Sequence, residues 1–84
     1  MNQFFEKQMD LRIRGDVLKI ARESCGLDQE ALANAVCLKS WHIQQMEDAE
    51  GYYYFYSIEL KIRAAKKIGK YLGLEESSYL YLIS

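Results

Sequence analysis

Between Gln29 and Met46 the apolar side chains fall at Leu32, Ala33, Val36, Leu38, Ile43 and Met46. Leu32, Ala33 and Val36 keep a helical period, Ile43 and Met46 keep another, and "CLK" breaks the two apart. Few arrangements satisfy such a frame. Two short helices must cross closely at Ala33, where only a small side chain fits, and the other positions must face the core where the helices meet. That is the spacing of a helix-turn-helix, carried by "GLDQEALANAVCLKSWHIQQME".

The surrounding chain extends the helical reading. Proline is absent and no stretch alternates cleanly, so helical signals dominate throughout. Residues 1–9 read as an N-terminal arm, with Phe4, Phe5 and Met9 able to fold back, and residues 10–84 as one domain. A first helix is expected from about Asp10 to Cys25, on a stripe of Leu11, Val17, Leu18, Ala21 and Cys25. Gly26 ends it. Gly15 inside it would cost up to ~1 kcal/mol relative to Ala, so the helix could instead begin just after that glycine. Asp28 is placed to cap the second helix and Ser40 the third. Ser57 caps a fourth, "IELKIRAAKKIGKYL", which Gly73 stops. On that helix Leu60, Ala64, Ala65, Ile68, Tyr71 and Leu72 form an apolar arc, opposite Arg63, Lys66, Lys67 and Lys70. The tail "EESSYLYLIS" is expected to make a short fifth helix closing the core with Leu80 and Leu82 or their neighbours. The predicted class is therefore all-α: a five-helix domain with an embedded helix-turn-helix.

Composition narrows the function. The chain has 84 residues and a formal net charge of -1, so no global attraction draws it to nucleic acid or an anionic membrane. No run approaches the ~20 apolar residues of a membrane span, and the N-terminus lacks the pattern of a signal peptide. The expectation is a soluble, cytoplasmic domain, touching a membrane only through a C-terminal extension of a longer parent. Cys25 and Cys37 read as free thiols packed as small hydrophobes. With His42 alone to join them, a structural zinc site is not expected. No phosphate-binding glycine loop, HExxH or nucleophile elbow occurs. The sequence predicts no enzyme, no cofactor, no metal and no small-molecule ligand.

The "ARESCGLDQ" before the motif and the "YLGL" after it complete a frame that resembles the lambda-repressor class over roughly residues 14 to 80. DNA-reading members of that class usually carry Gly at the ninth motif position, where this chain has Cys37. The longer pattern "LKSWHIQQMEDAEGYYYFYS…KIRAAKKIGKYLGLEESSYL" resembles the N-terminal cytoplasmic domain of the RodZ family. That resemblance implies an adaptor that binds the bacterial actin-like protein MreB and takes part in cell-shape maintenance or division. In the family the filament contact centres on the fourth helix and the loop before it. The family usually opens that helix with Pro and carries aromatics along it. This chain has Ile58 there, and its aromatics lie upstream, at Tyr52 to Tyr56.

Two sets of candidate residues follow. The partner-binding set is Tyr53, Tyr54, Phe55, Tyr56, Lys61, Arg63, Lys66 and Lys67: aromatic side chains favoured in protein interfaces, beside a basic helix face that suits an acidic partner. Five consecutive aromatics cannot all be buried, so some are expected to plug the core and others to be exposed. The alternative is a DNA-binding transcriptional regulator. It would use Lys39, Ser40, Trp41, Gln44 and Gln45 in the major groove and Gln29 at a phosphate. Against it stand Asp28, Glu30, Glu47, Asp48 and Glu50, with Lys39 the one cation in that stretch, because such binding draws its strength from neutralising phosphates. Trp41, large and flat at the start of the third helix, suits protein contact or partial burial better than groove entry.

Overall fold

The structure is a computed structural model that describes residues 10–48, 51 and 53–83. The predicted arm, residues 1–9, and Tyr52 lie outside the described residues, as does the side chain of Tyr53. Strand β1 (Asp10–Ile13) leads into helices α1 (Gly15–Ser24), α2 (Gln29–Ala35) and α3 (Ser40–Asp48). A 3-10 turn over Tyr53–Phe55 precedes α4 (Ile58–Tyr71), α5 (Glu76–Tyr79) and strand β2 (Leu80–Ile83). The described residues are mainly helical, with one small antiparallel sheet of β1 and β2.

The helix boundaries follow local chemistry. The Asp28 carboxylate accepts the Ala31 N–H at 2.8 Å, and the Ser57 hydroxyl accepts the Leu60 N–H at 3.1 Å, each satisfying a donor that a helix start leaves free. Glu59 and Lys70 sit at the ends of α4 where the helix dipole favours their charges. The third helix begins at Ser40, so Lys39 occupies the cap position expected for Ser40. There His42 Nδ1 accepts the Lys39 N–H at 3.1 Å.

The core contains Leu18, Leu32, Ala33, Val36, Ile43, Met46, Phe55, Ala64, Ala65, Ile68 and Tyr79. The motif positions Leu32, Ala33, Val36, Ile43 and Met46 are thus all buried, and Leu38 is half-buried against them. Burying a side chain such as Leu32 or Ile43 stabilises the fold by about 1.5–3 kcal/mol. Cys37 lies in the turn with φ of 61°, the left-handed conformation its position requires.

The structure departs from several of the sequence expectations. The first helix does not extend back to Asp10: residues 10–13 form β1, and "LYLI" forms β2 in place of more helix. Leu11 pairs with Leu82 and Ile13 with Leu80, on the face opposite Arg12 and Tyr81. The Arg14 guanidinium lies over the Tyr81 ring, 4.2 Å from its centroid. The tail does close the core, through Tyr79 with Leu80 half-buried against it, while Leu82 is 65 % exposed. Tyr79 fits because Gly69 has no side chain: a Cβ there would overlap the phenol ring. Gly15 plays a matching part at the start of α1, where a Cβ would come within 2.5 Å of the Met46 carbonyl oxygen. The glycine that looked like a helix defect is therefore what lets α1 approach the end of α3. Finally, Cys25 and Cys37 are free thiols but exposed, not core. Each follows the last turn of a helix, where the backbone leaves the packed face.

Candidate partner-binding surface

The aromatic connection is fixed from α3. His42 Nδ1 accepts a hydrogen bond from Lys39, so its proton sits on Nε2, which lies 3.0 Å from the Tyr54 carbonyl oxygen. The ring donates there and packs on the Phe55 ring, with centroids 4.8 Å apart. One turn further along α3, Gln45 Oε1 accepts the Tyr54 N–H at 3.1 Å. The Tyr54 backbone is thus held at both its N–H and its C=O. At the other end of the connection Lys61 Nζ donates to the Gly51 carbonyl at 2.7 Å. Among the five aromatics, Phe55 plugs the core, Tyr54 is exposed, and Tyr56 is 90 % exposed. Tyr56 has φ of 70°, a conformation costly for a bulky side chain and held here by the ordered turns around it.

Several predicted site residues are displaced by these contacts. Phe55 is a core residue and Lys61 is 3 % exposed, so neither offers its side chain to a partner. Lys61 lies on the buried side of α4 because its ammonium reaches the Gly51 carbonyl there. Tyr54, Tyr56, Arg63, Lys66 and Lys67 do lie at the surface, with Lys70 beside them. Lys66 approaches Glu76 at 3.9 Å, a solvated pair worth little. Of the alternative set, Lys39, Ser40, Trp41 and Gln44 are exposed along the start and outer side of α3. Gln45 is 3 % exposed and committed to Tyr54. Gln29 donates to Glu47 Oε1 at 3.1 Å, which diverts its amide from a phosphate.

That last bond belongs to a network joining the first three helices. Arg22 grips Glu47 with two donors, Nε to Oε2 at 2.7 Å and Nη2 to Oε1 at 3.0 Å. Its Nη1 donates to the Leu27 carbonyl at 2.7 Å. The hydrogen bond to Glu47 raises the Arg22 pKa above its ordinary value, against the opposing effect of burial. Glu47 therefore does not add to the negative surface that its place in the sequence implied. Tyr79 also has a raised pKa, first because burial penalises the phenolate and second because Glu76 is near.

Sequence reasoning missed His42 and Gln45 as the residues that position the connection. The only local trace was their spacing on α3, which places both toward the following loop. Among the described residues no cluster of His, Cys, Asp and Glu could hold a metal ion, and no helix is long and apolar enough to cross a membrane. No protein-family model, curated protein or solved structure matches the chain.

Proposed function

We propose that this chain is a non-enzymatic adaptor domain of the RodZ type, built on a five-helix lambda-repressor-like fold with the β1–β2 ribbon added. In this reading its partner is an actin-like filament protein, MreB, and it works on the cytoplasmic side in cell-shape maintenance or division. The observation that carries the reading is the pinned aromatic connection: Tyr54 and Tyr56 are exposed on a backbone held by His42 and Gln45, in the segment that leads into α4 with its exposed Arg63, Lys66 and Lys67. A preorganised aromatic costs less to immobilise on binding, which favours it as an interface anchor. The helix-turn-helix frame then acts as the scaffold that fixes the loop. The test is co-sedimentation of the purified chain with polymerised MreB from the same organism, comparing wild type with Tyr54→Ala/Tyr56→Ala. Binding that falls at least tenfold in the folded variant is expected. Absence of wild-type binding, or equal binding by the variant, would overturn the proposal.

A second reading, a DNA-binding regulator, is favoured by one observation. Lys39, Ser40, Trp41 and Gln44 are exposed together, and Glu47 is neutralised by Arg22. A duplex titration at low salt separates the two. Saturable DNA binding with a steep salt dependence and no filament contact would select the regulator.

A further inference from the structure

The turn between α2 and α3 lies alongside α4, and the two leave a groove. One part of it is an open hollow of about 450 Å³ with Leu38, Leu60 and Ala64 as its apolar lining and Arg63, Lys67 and Lys70 among its cations. A second hollow of about 290 Å³ continues past Ala35 and Cys37 to Tyr71 and shares Lys67 and Lys70 with the first. Among the described residues no acidic one lines either hollow. Leu60, Ala64, Lys67 and Tyr71 form one stripe along α4, spaced as a helix presents residues to a neighbouring helix. Leu60 and Tyr71 sit at the margin of the apolar arc and stay exposed because the core ends short of them. From Leu60 to Tyr71 the stripe is about 16 Å long.

We propose that this groove receives an acidic amphipathic helix of the partner. The inference rests on reading α4 as a partner-binding element, and it specifies what α4 binds. One wall, Ala35 to Leu38, is largely apolar, and the other carries Arg63, Lys67 and Lys70. A helix with a leucine-rich face against the turn and carboxylates against α4 satisfies both walls at once. A nucleic-acid backbone would satisfy only the cations and would leave Leu60 and Tyr71 facing phosphates, so a protein segment is the favoured occupant.

The probe is a fluorescein-labelled synthetic helix with Leu on one face and Glu on the adjoining face, read by anisotropy against the full 84-residue chain. Two control peptides accompany it, one with the same composition scrambled and one with Lys replacing Glu. Saturable binding of the acidic amphipathic helix is expected, at least tenfold tighter than either control. Lys67→Glu/Lys70→Glu should weaken it at least tenfold, and so should Ala35→Glu, which places a like charge on the apolar wall. No binding, equal binding of the scrambled peptide, or insensitivity to both variants would overturn the proposal. So would binding of duplex DNA, and not of the peptide, at the same lysines. Filament co-sedimentation with the same variants separates this inference from the functional reading. If the filament protein binds wild type and Lys67→Glu/Lys70→Glu equally, the groove proposal falls and the adaptor survives. If the peptide binds in the groove and the filament protein does not bind at all, the groove stands and the filament reading falls.

Discussion

Replacing Arg22 with Met should cost more than replacing Arg22 and Glu47 together. In the native fold the Glu47 side chain is 1 % exposed and accepts two bonds from Arg22 and one from Gln29. Arg22→Met leaves that carboxylate buried with only the Gln29 amide, and breaking a buried pair from one side costs about 3–5 kcal/mol. Domains of this size are stable by roughly 0.05–0.15 kcal/mol per residue, or about 4–13 kcal/mol in all, so the single change removes a large share. The double variant Arg22→Met/Glu47→Leu removes both charges. What it leaves is the Leu27 carbonyl and the Gln29 amide without their partners, at about 1–3 kcal/mol for each one that water does not reach. Two apolar side chains filling the space offset part of that cost. The expected order of stability is wild type, then the double variant, then either single, which requires a coupling energy larger than either single loss, about 3 kcal/mol or more, at the upper end for contacting residues. Urea unfolding followed by far-ultraviolet circular dichroism measures all four corners of the cycle. Additive single effects, or a double variant less stable than both singles, would refute the claim that the pair is a buried, mutually dependent unit.

Other expectations follow from single contacts. Gly69→Ala should destabilise by about 1–3 kcal/mol through overpacking against Tyr79, despite the better helix propensity of Ala; a raised melting temperature would contradict it. Cys37→Gly should stabilise by up to about 1 kcal/mol, because the exposed thiol has little packing to lose and φ of 61° suits glycine. A lower urea midpoint would show that the side chain matters there. The raised Tyr79 pKa means the unfolded phenol loses its proton first as pH rises. Its contribution is complete below the unfolded value near 10 and is lost as pH climbs through the folded value, so Tyr79→Phe should flatten the alkaline fall in stability seen in pH-dependent melts. His42→Ala removes both the acceptor for Lys39 N–H and the donor to Tyr54. It should cost about 1–2 kcal/mol and increase amide hydrogen exchange across residues 53–56.

The sequence by itself determined the α2–turn–α3 frame, the caps at Asp28 and Ser57, and the left-handed turn at Cys37. Each of these is set by residues within a few positions of one another, through periodicity, capping or one residue's dihedral preference. The exposed basic face of α4 was legible for the same reason. Tertiary structure alone decided the β1–β2 ribbon, because neither "DLRI" nor "LYLI" has a strand partner until these two distant segments meet. It also decided which polar residues go inside. Glu47, Lys61 and Gln45 look like surface residues locally, and each is buried because another element supplies its partner: Arg22, the Gly51 carbonyl and the Tyr54 amide. The same contacts chose Phe55 for the core and left Tyr54 and Tyr56 outside. A run of consecutive aromatics carries no period that could make that choice, whereas a backbone fixed from α3 and α4 turns Phe55 inward and leaves Tyr54 and Tyr56 outside.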